Sequence, residues 1–363
     1  MFRITVGKVE GFSKILGSIR SFSEFKIPKK DSFGIISKND AANFLAYFPN
    51  IVNDVVDHHL VSSFPEVNER IKRVLYFNVP YGSHVTPHLL IYCHKFIEEY
   101  ENTFDVEKQN NSFRMAWCLD IMNAMTLIFD DILDDSELRR GKKTWYKLEG
   151  PQAVCDGLLL QSCYLRLLDK YFSHEKKYEE MVNTIFKSEI DAVSGETLQF
   201  EVKNIESFTI ENYRNIAKSK STPIRFYAPL NGDIILKELG ILYQIQNDYY
   251  DFYGEKLIGK VGNDIQNNTC TILIATALEK GSEEQKKTLI ECYGQNEPDK
   301  VRKVKDIYSE LKLENEYNKL EDRSRRLICT ELMKIENQFT RDLMKNYSSL
   351  IFRSFKNDIL NCT

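Results

Sequence analysis

Hydrophobic residues recur at helical spacing along most of the chain. Phe44, Tyr47, Ile51 and Val55 follow one another every three or four residues, which is the period of one face of an α-helix. The run 121–129 is apolar over its whole length apart from one Asn and one Thr, and it contains no Gly or Pro. It therefore suits a buried helix.

Strand signals are weak by comparison. No stretch of useful length alternates apolar and polar residues as a half-buried strand does. Pro and Gly cluster at 80–82, 150–151 and 294–298, where they mark short connections between helices. The pattern predicts an all-α protein, with residues 41–363 forming a single helical bundle around a central cavity.

Length and composition restrict the class of protein further. The 363 residues are enough to bury a large core. Acidic and basic residues are interspersed and the net charge is −4, so we expect no nucleic-acid partner. No apolar run reaches the roughly 18–20 residues of a membrane span, so we expect a soluble protein. The eight cysteines lack zinc-ligand spacing, which favours reduced core cysteines in an intracellular protein.

The beginning of the chain differs in composition from the rest. The first thirty residues contain seven Lys and Arg residues against two acidic residues, Glu10 and Glu24. This composition predicts a basic, flexible leader over residues 1–40. A mitochondrial transit peptide is the alternative, although the two acids count against it. We expect a cytoplasmic protein, or a mitochondrial one if the leader is a transit peptide.

The first candidate site follows directly on the apolar run. If that helix continues, Asp130 and Asp134 lie one turn apart on the same face, with Asp131 beside them. Mg²⁺ in proteins takes one or two carboxylates together with substrate phosphates. Arg139 and Arg140 come next, and a guanidinium group can bind a phosphate through two hydrogen bonds. The sequence predicts a magnesium–diphosphate site here; the alternative is a solvated acidic helix end beside a basic loop.

A second acidic stretch supports the first interpretation. Asn247, Asp248 and Asp251 follow another apolar helical run, and Asn247 and Asp251 are again one turn apart. Lys260 lies a little further on. Two facing helices with inward oxygen ligands and a lysine behind one of them predict a site for three Mg²⁺ ions and a diphosphate.

The two stretches together carry a family resemblance. Residues 130–146 read DDILDDSELRRGKKTWY and residues 243–270 read YQIQNDYYDFYGEKLIGKVGNDIQNNTC. They resemble, almost position by position, the two aspartate-rich regions of the farnesyl diphosphate synthase family of isoprenyl diphosphate synthases. The resemblance implies the isoprenoid synthase bundle, a prenyl diphosphate substrate, Mg²⁺ and a homodimer. It also implies diphosphate contacts from Arg139, Arg140, Lys220, Ser221, Gln244 and Lys260. Of these, Arg139, Lys220 and Lys260 are implied to be catalytic.

The segment that binds the second substrate of the family, isopentenyl diphosphate, is different here. The lysine and arginine of the family are replaced by Ser83 and Thr86, Asn123 replaces a glutamine, and the basic C-terminal tail is replaced by residues 357–363. Of the cations of that site only Arg140 remains. A hydrogen bond to a charged group contributes roughly 1.5–3 kcal/mol, so the loss of two cations lowers affinity by a factor on the order of 10²–10⁴.

Other departures lie near the metals and the hydrocarbon pocket. The family's Gly-Gln-x-x-Asp is Gly195 to Gln199 here, so that a carboxylate has moved to Glu196. Met125 and Thr126 stand where the family has a bulky aromatic pair before the first motif, which predicts a deeper or reshaped pocket. Four aromatic residues could also face this pocket, although aromatics at helical spacing more often belong to the core: Phe129, Tyr243, Tyr249 and Tyr250.

These departures suggest a function different from chain elongation. The sequence is similar to the terpene synthases of insects that derive from this family. We expect a class I terpene synthase that ionises farnesyl diphosphate to form a sesquiterpene. The alternatives are a trans-prenyltransferase that makes geranyl or farnesyl diphosphate, and a catalytically weak partner subunit. The product, and the choice between C10 and C15 substrates, stay open.

Overall fold

The structure is a computed structural model and describes residues 35–57, 64–103, 105–222, 234–258 and 262–356. In this part of the chain the regular structure is helical, apart from one short strand pair and a 3-10 turn at Ile205–Ser207, so the all-α prediction is confirmed. The helices are α1 Lys38–Val56, α2 Pro65–Asn78, α3 Val85–Glu101, α4 Val106–Leu133, α5 Trp145–Glu149, α6 Gln152–Phe172, α7 Tyr178–Glu201, α8 Ile210–Thr222, α9 Ile234–Ile258, α10 Ile272–Lys280, α11 Glu283–Cys292, α12 Pro298–Glu310, α13 Leu313–Met333 and α14 Gln338–Lys356.

Several helices begin at residues whose side chains accept hydrogen bonds from the first turn. The Asp105 carboxylate accepts from the backbone N–H of Glu107 at the start of α4. Ser282 and Gln285 form a reciprocal capping box at the start of α11. Such caps satisfy backbone N–H groups that have no partner within the helix. The starts of these capped helices therefore follow from local sequence.

The first part of the core surrounds α4, which packs against α1, α3, α5 and α6. Its Trp117 is fully buried, stacks on Phe44 with ring centroids 4.1 Å apart, and donates from Nε1 to the backbone oxygen of Phe44. The predicted run 121–129 lies inside α4, and its residues Ile121, Met122 and Ile128 are buried. Burial of this central helix places its C-terminal end, which carries the first motif, inside the bundle.

A second part of the core surrounds α8 to α13 and is rich in tyrosine. Tyr213 and Tyr308 are fully buried in it. Tyr249 on α9 stacks between Tyr253 and Tyr317, with ring centroids 4.5 and 4.1 Å away. This packing holds α9 against α13 and fixes the direction in which the second motif points.

The only strands in the described ranges form a two-residue hairpin after α4, which the alternation pattern did not predict. Leu138–Arg139 (β1) pairs antiparallel with Lys142–Lys143 (β2). The turn residues Arg140 and Gly141 both have positive φ, 55° and 74°, as a tight two-residue hairpin requires. This turn folds Arg139 back over the end of α4.

A buried ionic network fixes the segment after the hairpin. The Asp156 carboxylate accepts from Nε of Arg70 (2.8 Å) and from the indole N–H of Trp145 (2.6 Å). Glu149 accepts from Arg70 and from Arg73. Because these residues belong to α2, α5 and α6, the network ties three helices together.

The described residues allow a comparison with the predicted domain boundary. Residues 31–363 form one compact unit. Ile35 and Ile36 are already buried, and Ser37 caps α1 at Lys38, so helical structure begins before the predicted boundary at residue 41. The rest of the predicted leader, residues 1–34, lies outside the described part of the chain, and its role and the localisation stay predictions.

The helices and the cysteines bear on two further expectations. None of the described helices has the length and apolar character of a membrane span. Six of the described cysteines are free thiols, and all of these except Cys155 are buried. The expectation of reduced cysteines is wrong for Cys329, which is disulfide-bonded.

We predict that Asp156→Ala lowers the free energy of unfolding by about 3–5 kcal/mol, because it removes one of the two carboxylate partners of Arg70 and leaves the buried indole N–H of Trp145 without its acceptor. Urea denaturation measures the change. Lys72→Ala on the same helix is the control, since Lys72 pairs with the more exposed Glu69 and such a pair contributes about 0–1 kcal/mol. An equal loss in both variants would contradict the structural role of the network.

Candidate active site

The two motifs meet at one open cavity inside the bundle. One end of this cavity is lined by charged and amide side chains, and the other by largely apolar ones. The polar end consists of Asp130, Asp134, Arg139, Glu196, Gln199, Lys220, Ser221, Gln244, Asn247, Asp248, Asp264 and Thr269. The apolar end includes Met125, Leu127, Phe129, Leu158, Ala192, Val193 and Tyr243.

The first motif has the predicted helical geometry. Helix α4 continues through Asp130, and the backbone N–H of Asp134 donates to the Asp130 carbonyl oxygen at 2.9 Å. Both side chains line the cavity. Asp131 is not part of the cavity lining; it is buried and accepts from Nε of Arg139 at 2.8 Å. The structure therefore brings two of the three predicted carboxylates to the cavity surface.

Arg139 reaches the motif because of the hairpin. Its Nη2 donates to Oδ2 of Asp130 at 2.7 Å, while Nε binds Asp131. The guanidinium thus bridges two adjacent carboxylates. This places a cation at the polar end of the cavity, where the family resemblance implies a diphosphate contact.

Lys220 on α8 connects three helices. Its Nζ lies 3.2 Å from Oδ1 of Asp130 on α4 and 2.9 Å from Oε2 of Glu196 on α7, and it donates to Oε1 of Gln199 at 3.2 Å. Helices α7 and α8 approach each other closely here. A Cβ atom added to Gly195 would lie only 2.3 Å from the backbone nitrogen of Lys220. Glycine at 195 therefore permits the contact.

The carboxylates differ in how well they are neutralised. Burial acts to raise the pKa of Asp130, but Lys220 and Arg139 together outweigh it and lower the pKa. Burial, with the negative charges of Asp130 and Glu196, raises the pKa of Asp134 to about 6. Negative charge is thus in excess around Asp134, and a bound cation there would be stabilised.

Three residues of α9 and one residue of its neighbour α8 complete the polar end. Asn247 faces the cavity. Gln244 donates from Nε2 to Oδ1 of Asp248 at 2.8 Å and accepts a hydrogen bond from Ser221. The other oxygen of Asp248 accepts from the backbone N–H of Ile272 at the start of α10. Asp248 is therefore engaged in fixing α9 to α10, in addition to any role toward a metal.

Asp251 faces a different, smaller cavity. Its Oδ2 accepts from the backbone N–H of Asp264 at 3.1 Å, and it lines that cavity together with Asp248, Gly262 and Lys305. Asn247 and Asp251, predicted to act together, thus line neighbouring cavities. Lys260 lies outside the described residues.

The donors present are suited to Mg²⁺. In the described ranges, no three or more His, Cys, Asp or Glu side chains form a ready-made metal site. Mg²⁺ does not need one, because it binds through one or two carboxylates and completes its coordination with water and substrate phosphate. The carboxylates of Asp130 and Asp134, with the excess negative charge between them, meet this requirement.

The apolar end agrees in part with the predicted pocket. Met125 and Thr126 line the cavity, as do Phe129 and Tyr243. Tyr249 and Tyr250 are not among the lining residues and pack in the second part of the core. Of the two interpretations left open for these aromatics, the core is the one that the structure gives for Tyr249 and Tyr250, and the pocket the one it gives for Phe129 and Tyr243.

Several residues that line the cavity were not among the predicted site residues. Glu196 and Gln199 hold Lys220, and their spacing of three residues on one helix was a usable signal. Asp264 and Thr269 follow the second motif in the chain. Glu189 and Gln161 lie on the wall beside the apolar end; as single polar residues in amphipathic helices they resemble solvated positions.

The sequence model of the polyprenyl synthetase family matches residues 68–311, more than half of the chain. This chain belongs to that family. It is 29% identical to the farnesyl pyrophosphate synthase of Murgantia histrionica over 329 residues, which cover 85% of this chain and 80% of that protein. The farnesyl pyrophosphate synthase of Gallus gallus is 29% identical over 349 residues, 89% of this chain and 94% of that protein.

A relative with another name is similar to the same extent. The bifunctional chrysanthemol synthase of Tanacetum cinerariifolium is 29% identical over 344 residues, 88% of this chain and 87% of that protein. The resemblance to isoprenyl diphosphate synthases is therefore confirmed. The relatives named as farnesyl pyrophosphate synthases favour the prenyltransferase alternative, and the terpene synthase stays a prediction.

The segment that departs from this family is firmly packed. His84 is buried, with Nδ1 2.7 Å from Oδ2 of Asp120, and Thr86 beside it is also buried. Arg140, the remaining cation, is exposed and donates weakly to the backbone oxygen of Asn78. Arg140 thus lies next to the segment with which the family resemblance groups it, and Arg139 lies on the first motif.

Nearby cations of α2 are committed to other partners. Arg73 donates to Glu149 at 2.6 Å, and Lys72 pairs with Glu69 at 2.9 Å. Arg73 thus belongs to the network that joins α2 to α5, and Lys72 pairs within α2. In this geometry neither compensates for the cations that Ser83 and Thr86 replace.

We predict that Asp130→Asn and Asp134→Asn each lower diphosphate release from an allylic diphosphate by at least about 100-fold, since even outer contacts of a metal site contribute 10- to 100-fold. The assay measures released diphosphate at saturating Mg²⁺. Asp135→Asn is the control, because Asp135 is exposed and pairs with Lys147. Near-normal activity of either motif variant would show that the metal anchor is elsewhere.

Proposed function

We propose that this enzyme begins catalysis by ionising an allylic prenyl diphosphate. The proposal is supported by the convergence of Asp130, Asp134, Arg139 and Lys220 at one end of a cavity whose other end is apolar. Mg²⁺, when bound, would supply positive charge to the leaving diphosphate. Arg139 and Lys220 add fixed donors at the same end, and the apolar wall excludes water from the hydrocarbon.

For the next step we propose that the allylic cation forms a terpene within the same cavity, with farnesyl diphosphate as substrate. The observation that carries this choice is the segment 83–86. Ser83 and Thr86 stand in place of the two cations that hold isopentenyl diphosphate in the family, and Lys72 and Arg73 are engaged elsewhere. An enzyme with this segment lacks the charge to hold the second substrate.

The second candidate is a prenyltransferase that condenses isopentenyl diphosphate with an allylic diphosphate. Overall similarity favours it, because the relatives include farnesyl pyrophosphate synthases matched over most of their length. In such an enzyme Arg140, which lies beside residues 78–82, would have to hold the second diphosphate together with residues other than the family's lysine and arginine.

A catalytically weak partner subunit is the third candidate. It requires that the ionisation machinery be incomplete. Since Asp130, Arg139 and Lys220 are brought together with ion-pair distances of 2.7–3.2 Å, the geometry disfavours it.

We predict that the pure protein with Mg²⁺ converts farnesyl diphosphate alone to diphosphate and a terpene. Isopentenyl and dimethylallyl diphosphates together should give little longer prenyl diphosphate. Gas chromatography of volatiles and chromatography of prenyl diphosphates measure both outcomes. Efficient condensation without any volatile product would establish the second candidate instead.

Restoring the lost cations gives a matched variant. In Ser83→Lys with Thr86→Arg, some condensation should appear if these two positions are the main cause of its absence. Thr86 is buried, so the arginine needs room that the segment does not yet offer. Ser83→Lys alone, at a half-buried position, is the milder variant and should give a smaller effect in the same direction.

We also propose that the protein is a homodimer. Helices α6 and α7 carry a set of exposed apolar side chains, which on a monomer would face water. The set comprises Val154, Phe186 and Ile190; Leu158 and Val193 are also exposed, but they line the cavity.

Light scattering at micromolar concentration should therefore give about twice the 42.4 kDa of one chain. Ile190 is 66% exposed, and Ile190→Glu should shift the protein toward the monomer because it places a charge in the proposed interface. A monomer in the unmodified protein would disprove the pairing.

A further inference from the structure

Glu189 on α7 places a carboxylate in the wall of the cavity, away from the polar end. The side chain is 9% exposed and lines the cavity together with Gln161 of α6. Its two oxygens accept one hydrogen bond each, Oε2 from the hydroxyl of Tyr164 at 2.8 Å and Oε1 from Nε2 of Gln161 at 2.7 Å. A buried carboxylate beside an apolar surface needs such partners or a function.

The depth of Glu189 follows from helix geometry. It precedes Glu196 by seven residues on α7, and Asn123 precedes Asp130 by seven residues on α4. Seven residues of α-helix span about 10 Å. Glu196 and Asp130 both contact Lys220 at the polar end. Glu189 therefore lies about 10 Å from that end along α7, at the level of Asn123 on α4. The hydrocarbon of a bound substrate would lie beside it.

The surroundings hold the carboxylate in one orientation. Tyr164 and Gln161 both donate hydrogen bonds to it. Within the described residues, no Lys, Arg or His nitrogen pairs with Glu189. Each oxygen accepts only one of these bonds and so retains a lone pair for another group. Glu189 therefore provides a fixed carboxylate in the cavity wall, away from the polar end where the diphosphate would bind.

We propose that Glu189 accepts the proton that ends the reaction, and so determines which terpene is released. This inference rests on the proposed terpene synthase function and deepens it. An allylic cation formed at the polar end develops positive charge further along the chain as double bonds react. A carboxylate at the apolar end stabilises cations that reach it and is the nearest fixed base in that wall.

The step balances without a further reactant. A C–H bond on the carbon next to the cationic centre breaks, and its electron pair forms a C=C bond. The proton passes to a carboxylate oxygen of Glu189, and the neutral alkene leaves. The diphosphate has already taken its electron pair when the C–O bond broke, and Glu189 returns its proton to water after product release.

Tyr164 and Gln161 are positioning residues in this account. Tyr164 is 1% exposed and reaches the product only through Glu189. Removal of its hydroxyl frees one carboxylate oxygen to move, without removing the base. Tyr164→Phe should therefore change the product ratio in the same direction as Glu189→Gln, but less.

The test compares Glu189→Gln, Tyr164→Phe and the unmodified enzyme with Mg²⁺ and farnesyl diphosphate. Total diphosphate release and the ratio of the main terpene to all other products are measured together. In Glu189→Gln, diphosphate release should continue, while this ratio falls about tenfold or more, since a positioned base contributes 10²–10⁴ to a proton transfer. Ser188→Ala is the control, because its hydroxyl donates to the backbone oxygen of Thr184 and is not part of the cavity lining.

The outcomes separate the inference from the function on which it rests. An unchanged product ratio in both variants, with diphosphate release intact, would overturn the role of Glu189 and leave the terpene synthase function in place. If the variants then differed from the unmodified enzyme only by lower melting temperatures, the role of Glu189 would be structural. If Glu189→Gln fails to fold, Tyr164→Phe decides by the same ratio. If the unmodified enzyme makes no terpene, the function and the inference fall together.

Discussion

The structure depends on the neutralisation of Asp130 at the C-terminal end of α4. Burial alone would raise the pKa of this carboxyl, because it favours the protonated form, so its lowered pKa depends on nearby cations. Lys220 and Arg139 supply them from α8 and from the hairpin. Lys220 also binds Glu196, so one ammonium group determines how α4, α7 and α8 approach each other. The same cations and carboxylates form the polar end of the cavity.

A division of the cavity into a charged end and an apolar wall follows from this constraint. The charged groups cluster where helix ends and the hairpin meet, and the middle turns of α4 and α7 supply the wall. A prenyl diphosphate has the same two-part character. The family match and the geometry therefore point to the same class of substrate, although the relatives and the segment 83–86 favour different second steps.

Much of this arrangement could be predicted from the sequence, and the exceptions have physical reasons. Helix α4 and the facing of Asp130 and Asp134 follow from an uninterrupted apolar run and a spacing of four. The approach of Arg139 could not be predicted, because it needs a left-handed conformation at Arg140, which arginine rarely signals. Helical spacing placed Tyr249 correctly on α9 but could not show which neighbour it faces. Glu189 was missed because its partner Tyr164 lies on another helix.

The central claim is that the chain holds one diphosphate site fully and the second one poorly. Equilibrium binding of labelled isopentenyl diphosphate to the enzyme with Mg²⁺, compared with an unreactive thio analogue of farnesyl diphosphate, tests it most directly. We predict that the farnesyl analogue binds tightly and that isopentenyl diphosphate binds on the order of 10²–10⁴ times more weakly than a site with both cations would hold it, which makes it much the weaker ligand of the two. Comparable affinities for the two ligands would contradict it.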